Sequence, residues 1–257
     1  MALPRLRLAA EPLPGLPEVR PGDALAALIA EAAEAEVTAL RGGEVLVVAQ
    51  KVVSKAEGRL VALATVTPGD EARELAERTG KDARLVQLIL DESAEVLRVG
   101  REVLIVRTRQ GFVCANAGID QSNVPDEGVA CLLPEDPDAS ARVLRRGIGD
   151  RLGVNPAVIV SDSFGRAWRL GQLDVAVGCA GLAPLQDRRG ERDAQGRALM
   201  ATIDAVADAA TGAAQLVRHK AGGEAVVVVR GLERYVTRED GPGAAAIVRP
   251  EPEDLFR

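Results

Sequence analysis

The sequence has few of the side chains on which many binding and catalytic sites depend. Its 257 residues include one histidine, three cysteines and five aromatic residues. Because His219 is the single histidine, any mechanism that needs two histidines is excluded, and a metal site would have to use carboxylates and other oxygen ligands. So few aromatic side chains also argue against a stacking platform for single-stranded nucleic acid.

Charge and hydropathy exclude further classes of protein. The net charge of -6 and the pI near 5.1 argue against a nucleic-acid partner, which an electropositive face would have to attract. No apolar run reaches the length of about 18 residues that a membrane span needs. Prolines and charges between Met1 and Pro17 interrupt any signal-peptide core. We therefore expect a soluble, cytoplasmic protein with neither nucleic-acid nor membrane partners.

The three cysteines favour buried free thiols over disulfides or a zinc site. Cys114, Cys131 and Cys179 are odd in number, lie far apart and each stands in an apolar run. That distribution is typical of a protein in a reducing compartment.

Runs of β-branched residues predict buried strands at 44–50, 157–160 and 225–229. Two shorter runs predict a hairpin that turns at Gly100 and Arg101. Because hairpins in the middle of the chain do not suit a doubly wound parallel sheet, the pattern favours an α+β fold.

Helical spacing of apolar residues predicts two long helices. One spans 139–152, with Asp136 or Asp138 as its N-cap. The other spans 195–217 and is the longest helix candidate. No linker divides the chain, so we expect one domain over residues 1–257.

A polar segment at 116–125 is the first of four candidate functional segments. Asp120 and its neighbouring amides supply the oxygen ligands that a hard divalent cation prefers. An Asx-rich turn explains the same composition, because Asn, Asp and Ser favour turns through local hydrogen bonds. The spacing leaves both interpretations open.

A second segment follows the predicted strand at 157–160. Asp162 stands where a carboxylate at the mouth of a sheet could hold a metal, and Arg166 and Arg169 could bind phosphate oxygens with their forked donors. The alternative makes Asp162 a simple cap and places both arginines on a solvated face.

Two further segments are basic. Lys55, within 54–59, could contact a phosphate as a point charge, although the glycine spacing of a P-loop is missing. Residues 218–224 join the predicted long helix to the last strand, and their basic side chains suit either a helix C-terminus or a nucleotide-binding turn. Together the four segments indicate phosphoryl chemistry on a metal-bound nucleotide, because a triphosphate needs cations before a nucleophile can approach it.

Four blocks of the sequence resemble the coenzyme F-420-0:L-glutamate ligase family. The blocks are VVAQKVVSKAEGR, CANAGIDQSNVP, LLPEDPDASAR and VIVSDSFGRAWRLGQLDVAVG, in the family's order. The similarity extends from about Leu13 to Leu232. It implies an intertwined α+β homodimer of mixed and antiparallel sheets with flanking helices. Some bacterial relatives carry a further flavin-binding domain after the ligase, and we expect none here because the chain ends at Arg257.

The resemblance also implies an activity. Family members use GTP to join L-glutamate to coenzyme F-420-0 or its dehydro precursor, and they release GDP and phosphate through an acyl-phosphate intermediate. A second, γ-linked glutamate can follow the first. They need Mg²⁺ or Mn²⁺, with a monovalent cation such as K⁺ assisting.

Site residues follow from the resemblance position by position. It assigns as metal ligands Asp120, Asp162 and Ser163, the last at a position where the family often has Thr. It assigns to the nucleotide site Leu16, Pro17, Glu18, Val19, Gln50, Lys51, Lys55, Asn123, Arg218, His219, Lys220, Ala221, Gly222, Gly223, Glu224 and Ala225.

One assignment departs from the family pattern. Lys220 stands where archaeal members have a glutamine metal ligand, and an ammonium group cannot bind a cation. Because the resemblance extends to bacterial relatives with lysine at this position, we treat Lys220 as a variant of that metal position. From the residues themselves we expect Lys55 to neutralise phosphate charge and Arg166 or Arg169 to receive an anionic substrate. Two alternatives remain open, a metal-dependent hydrolase and a non-catalytic GTP-binding protein.

Overall fold

The computed structural model describes residues 7–36, 40–122, 128–218 and 223–254. The strands are β1 (Ala9–Pro12), β2 (Val45–Ala49), β3 (Leu60–Ala62), β4 (Ser93–Gly100), β5 (Val103–Thr108), β6 (Val113–Ala115), β7 (Val129–Cys131), β8 (Ala157–Arg166), β9 (Arg169–Ala180), β10 (Leu185–Asp187), β11 (Ile203–Ala205) and β12 (Val226–Arg230). The α-helices are α1 (Leu25–Ala35), α2 (Gln50–Ala56), α3 (Asp70–Thr79), α4 (Ala83–Asp91), α5 (Pro137–Leu152) and α6 (Val206–Val217).

A five-stranded mixed sheet forms the centre of the protein. Its strand order is β1-β12-β2-β8-β9, and within it β2 and β8 pair in parallel while the other neighbours are antiparallel. Strands β4, β5 and β6 form a separate antiparallel sheet, and β3–β7 and β10–β11 are two-stranded. The α+β prediction is therefore confirmed.

Both faces of the central sheet are buried, which explains the nearly continuous apolar runs of its inner strands. Along β2, Leu46 and Val48 face a core that α1 and α5 cover. Val45 and Val47 face the opposite core, which α6 and the segment around Tyr235 cover. A third core joins α3 and α4 to the β4–β6 sheet.

Helix α5 forms where its spacing predicts, and the structure settles its cap. The carboxylate of Asp136 accepts a hydrogen bond from Ala139 N at 2.8 Å, which makes Asp136 the N-cap. Asp138 instead accepts from Cys179 N and Ala244 N, so it ties β9 and the C-terminal segment to the helix. No helix in the described ranges is long and apolar enough to cross a bilayer.

The predicted helix over 195–217 is wrong in its first half, because α6 begins only at Val206. Asp193 Oδ1 accepts a hydrogen bond from Arg197 N at 2.8 Å, and Gly196 adopts φ +80°. Such local side-chain contacts and a left-handed glycine compete with helical geometry. The segment 188–202, called the arm below, therefore forms turns before β11 and α6.

The three predicted buried strands are confirmed, with two changes at their ends. Helix α2 starts at Gln50 directly after β2, and its seven residues were too few for a periodicity to reveal. Strand β8 continues past the predicted end at Val160 as far as Arg166, because β9 pairs with it through the polar residues as well.

Candidate functional site

A cavity of about 810 Å³ opens at the carboxyl ends of the parallel strands β2 and β8. The start of α2, the loop after β6 and the β8–β9 hairpin complete its walls. Ligands commonly bind at this edge of parallel strands, because the loops that follow the strands converge there. The polar side chains that line it are Glu18, Gln50, Lys51, Lys55, Asn116, Asp120, Ser122, Ser161, Asp162, Ser163, Gln172, Asp174, Arg218 and Glu224.

Most of the predicted site residues lie in this cavity. Its lining includes Glu18, Gln50, Lys51, Lys55, Asp120, Asp162, Ser163, Arg218, Gly223, Glu224 and Ala225. Outside it lie Leu16, Pro17, Val19, Arg166 and Arg169. The described residues do not include Asn123, His219, Lys220, Ala221 and Gly222.

The five residues outside the cavity have other environments. Val19 is buried in the hydrophobic core on the α1 side of the sheet, Leu16 packs against the same core, and Pro17 is exposed. Arg166 and Arg169 are exposed at the tip of the β8–β9 hairpin, where Arg166 Nη2 donates to Leu170 O at 2.9 Å. In a single copy of the chain, both arginines therefore lie on the solvated face that the alternative interpretation described.

Asp120 is positioned by a left-handed turn. Asn116 and Ala117 adopt φ values of 52° and 56°, an unusual conformation for residues other than glycine. The chain then forms a backbone bridge in which Asp120 N donates to Cys131 O at 3.0 Å. Ser122 N donates to Asp120 Oδ1 at 2.6 Å, so the Asx turn is present. The carboxylate nevertheless faces the cavity, and its metal role stays a prediction.

Lys51 supplies the charge that balances Asp120. Its Nζ lies 2.7 Å from Asp120 Oδ2 and also donates to Ser122 O at 2.7 Å. Partial burial tends to raise the pKa of Asp120, but the Lys51 ion pair and the hydrogen bonds from Ser122 outweigh it and lower that pKa. Asp120 is therefore ionised at neutral pH.

Asp162 has the opposite electrostatic environment. It lies within β8 rather than at a helix start, so it is not a cap. Burial raises its pKa to about 7, and the carboxylates of Asp120 and Asp174 add to the rise, while Lys51 and the backbone N–H of Ser163 oppose it. Burial and the two neighbouring carboxylates thus disfavour the charged form of Asp162, and a bound divalent cation would favour it.

Ser163 lies on the other face of the strand from Asp162. Successive side chains of an extended strand alternate, and Ser163 is the direct cross-strand partner of Asp174 on β9. Its hydroxyl donates to Asp174 Oδ1 at 2.5 Å. The hydroxyl of Ser163 and the carboxylate of Asp162 therefore point into different parts of the cavity wall, and the metal role of Ser163 stays a prediction.

Lys55 is a buried cation with an exposed partner. Its side chain, on α2, is 7% exposed, and one of its N–H groups donates to Glu18 Oε1 at 2.6 Å. The Glu18 side chain is 68% exposed. Because a solvated carboxylate is easily displaced, the ammonium can exchange this partner for the oxygens of an anionic ligand.

Arg218 turns into the protein instead of ending α6 in solvent. Its Nη1 donates to Asp174 Oδ2 at 2.9 Å and to Ser161 Oγ at 3.1 Å, and its Nη2 donates to Val47 O at 3.0 Å. Burial lowers the pKa of the guanidinium, and the adjacent Asp174 carboxylate opposes this. The buried Nε has no hydrogen-bond partner among the described residues.

Asp174 is the site residue that motif reasoning left without a role. It is 3% exposed and accepts hydrogen bonds from both Ser163 and Arg218. The sequence does contain a weak signal, since a carboxylate followed by the apolar run at 175–180 needs a partner if the run is buried. Only the strand register and the end of α6 identify that partner.

The cysteine prediction is confirmed, and the thiols do not extend the site. All three are free and buried. Burial, assisted by the Asp162 charge, raises the pKa of Cys114 to about 12, and burial raises that of Cys131 to about 11 despite nearby Lys51. Within the described ranges, no three His, Cys, Asp or Glu side chains are grouped closely enough to hold a metal. A divalent cation would therefore need further oxygens, such as those of a phosphate.

Two scarce aromatic residues fall in the same sequence block but have different surroundings. Phe164 lines the cavity, and its ring meets that of Phe112 edge-on with centroids 6.3 Å apart. Trp168 lies at the turn of the β8–β9 hairpin with φ 63° and is 88% exposed.

The fold and the cavity together define an α+β protein whose site combines carboxylates with buried cations. A model of the F-420-0:gamma-glutamyl ligase family matches residues 15–231. The coenzyme F-420:L-glutamate ligase of Methanopyrus kandleri is 49% identical, over 99% of each chain. The ligase of the same name from Methanothermobacter thermautotrophicus is 48% identical over 95% of this chain and 96% of its own. That of Methanocaldococcus jannaschii is 41% identical over 85% and 86%. The chain belongs to the F-420-0:gamma-glutamyl ligase family.

Proposed function

We propose that this protein is a GTP-dependent ligase that adds L-glutamate to coenzyme F-420-0 or its dehydro precursor. The observation that carries the proposal is the cavity in which Asp120 and Asp162 lie together with Lys51 and Lys55. A nucleoside triphosphate needs cations around its phosphates, and its metal needs carboxylates. The description of the family supports coenzyme F-420-0 as acceptor, and the relatives' names support L-glutamate as the amino acid. The dehydro precursor is proposed from the family resemblance.

Asp120 and Asp162 would hold the divalent cation, Mg²⁺ or Mn²⁺. The raised pKa of Asp162, which comes first from burial and then from the Asp120 and Asp174 carboxylates, supports this assignment, because a cation would remove the cost of ionising the group. A bound divalent ion neutralises phosphate charge and supplies fixed positive charge for the transition state. We also propose, from the family resemblance, a monovalent cation such as K⁺ at the nucleotide.

The lysines would bind the phosphates. Lys55 can release the exposed Glu18 carboxylate, and Lys51 can release Asp120 once a metal balances that carboxylate. Both ammonium groups lie on consecutive turns of α2, which fixes them relative to the carboxyl ends of β2 and β8. Their role is to hold the γ-phosphate for attack.

The proposed reaction has two steps. The terminal carboxylate of the acceptor attacks the γ-phosphorus of GTP, and the bond between that phosphorus and the β,γ-bridging oxygen breaks. The products of this step are GDP and an acyl phosphate on the acceptor. The amine of L-glutamate then attacks the acyl carbon, phosphate leaves, and the nitrogen loses a proton. A second, γ-linked glutamate would be added by the same two steps. Two cavity lysines and two cavity carboxylates suit the first step, in which charge moves between phosphate oxygens.

A mass measurement tests the proposal. The protein is incubated with Mn²⁺, GTP and isotope-labelled L-glutamate, with and without the acceptor. We expect an acceptor mass increased by one or two glutamates, and GDP formation that requires both substrates. Lys55→Met should abolish the product, while Asp193→Asn, in the arm outside the cavity, should leave it unchanged. Phosphate release without glutamate would instead indicate a hydrolase, and GTP binding without turnover a non-catalytic protein.

We also propose that two copies of the chain form the intertwined homodimer that the resemblance implies. Leu170 is 98% exposed beside Trp168 at the hairpin tip, and such apolar side chains are typical of an interface when they cluster. A second copy there would bring Arg166 and Arg169 toward its neighbour. Light scattering after chromatography should show a dimer that Leu170→Glu dissociates, whereas Val143→Glu, exposed on α5, should not.

A further inference from the structure

Asp174 connects three parts of the cavity wall through one carboxylate. Oδ1 accepts the Ser163 hydroxyl from β8 at 2.5 Å, and Oδ2 accepts Arg218 Nη1 from the end of α6 at 2.9 Å. The residue is almost completely buried and lies on β9. Each carboxylate oxygen therefore determines the direction of a different polar group in the cavity.

The backbone of Asp174 is held as firmly as its side chain. Thr211 Oγ1 donates to Asp174 O at 2.7 Å, and Asp174 N donates to Gln215 Oε1 at 3.0 Å. Both partners belong to α6, where Thr211 lies about two turns and Gln215 about one turn before Arg218. The carboxylate thus has a fixed position from which to orient its two partners.

Arg218 is the last described residue before the segment 219–222, and Gly223, Glu224 and Ala225 return the chain to the cavity. Its guanidinium is held by Asp174, Ser161 and the carbonyl of Val47, on three different strands. The charge that retains it there is that of Asp174, since the other two acceptors are neutral. Without this charge, a buried guanidinium would favour solvent.

We propose that Asp174 is a positioning residue of the ligase site, which holds Arg218 and Ser163 in the orientation that the nucleotide requires. It acts through these two side chains and does not itself touch the nucleotide. This inference rests on the proposed function, because the nucleotide is the ligand whose binding it would control.

A structural role in packing α6 against β9 is the competing explanation, and the chain contains a matched control. Asp208 on α6 is also half-buried or more and accepts a hydrogen bond from a β9 backbone, Ala176 N, at 2.9 Å. It does not line the cavity and does not contact Arg218 or Ser163. Asp208→Asn therefore perturbs the same helix–strand contact without disturbing the Asp174 connections.

The experiment measures GTP affinity by calorimetry, with Mn²⁺ present, together with the melting temperature of each variant. We expect Asp174→Asn to weaken GTP binding by about tenfold or more, because a buried charge pair is broken. Asp208→Asn should leave the affinity within about twofold, since Asp208 neither lines the cavity nor holds Arg218 or Ser163. In an Arg218→Met background, Asp174→Asn should reduce GTP affinity by a smaller factor than it does alone. The remaining reduction would come from the changed orientation of Ser163.

Three results would overturn the inference. One is an Asp174→Asn protein that binds GTP as the wild type does. Another is an equal loss in Asp208→Asn, which would indicate general displacement of α6. The third is a full, additive loss in the Arg218→Met background. A wild-type protein that does not bind GTP at all would contradict the proposed function and the inference together, and so is distinct from the first three.

Discussion

Replacing Asp162 by asparagine should stabilise the metal-free protein at pH 8. The folded protein holds the pKa of Asp162 at about 7, against an ordinary value of 3.8. Stability from this group is therefore complete below pH 3.8 and is lost as the pH rises through 7, where the buried carboxyl has to ionise. Asparagine has nearly the same shape and carries no charge, so it removes that loss.

The magnitude follows from the size of the pKa change. A rise from 3.8 to about 7 corresponds to about 4 kcal/mol, at ~1.4 kcal/mol for each pKa unit. Because the side chain keeps some contact with solvent, screening reduces this ceiling, and we expect a gain of about 1–3 kcal/mol at pH 8. The gain should shrink at pH 5.5, where wild-type Asp162 is mostly protonated in the folded state.

Denaturant unfolding in the presence of a chelator measures this difference at the two pH values. Asp120→Asn is the matched control, because Lys51 and Ser122 favour the charged form of Asp120, and its loss should destabilise the protein at pH 8. Saturating Mn²⁺ should reverse the order by stabilising the wild type more than Asp162→Asn. An Asp162→Asn protein that is less stable than the wild type at pH 8 without metal, or equally shifted at both pH values, would refute the reasoning.

Three further predictions concern other parts of the structure. Gly178→Ala should destabilise the protein by about 2–4 kcal/mol in denaturant unfolding, because an added Cβ would lie 2.2 Å from Pro137 O. Gly165→Ala, with no atom within 4 Å of the added Cβ, should change stability by less than about 0.5 kcal/mol, and a similar loss in both would contradict the argument. Lys51→Met should tighten Mn²⁺ binding in the absence of nucleotide by roughly 3- to 10-fold, because the ammonium 2.7 Å from Asp120 would compete with the metal for that carboxylate. An Mn²⁺ affinity equal to that of the wild type, measured by titration of the paramagnetic signal of the ion, would contradict this prediction. The three thiols, with pKa values raised by burial to about 11 or 12, should react with a disulfide reagent at pH 8 only as the protein unfolds, so rapid labelling of the native protein would be inconsistent with the structure.

Local patterns predicted those elements whose residues all favour one conformation. The β-branched run of β2 and the capped, periodic sequence of α5 form as expected, because propensity and burial agree there. Residues 195–205 have helical spacing too, but the turn at Asp193 and the left-handed Gly196 prevent a helix there. Periodicity records where apolar residues stand and does not weigh such competing hydrogen bonds.

For the site, residue type predicted more than residue role. Carboxylates and lysines in four segments indicated phosphoryl chemistry, and the fold brings Asp120, Asp162 and Lys55 into one cavity. Arg166 and Arg169 are equally suited to bind phosphate oxygens, yet the β8–β9 hairpin places them outside the cavity of their own chain. A motif gives order along the chain, whereas the length of a hairpin is set by pairing with its partner strand.

Residue composition limits the chemistry that is available to this protein. One histidine, few aromatic residues and many carboxylates limit it to a site of oxygen ligands and cations, and long blocks of similarity assign its family. How those groups are charged and connected depends on the packing of the folded chain. Burial raises the pKa of Asp162, whereas the Lys51 ion pair and the Ser122 hydrogen bonds lower that of Asp120. Strand register pairs Asp174 with Ser163, and the end of α6 brings Arg218 to the same carboxylate. Such effects depend on distance and solvent access, which arise when remote segments pack together.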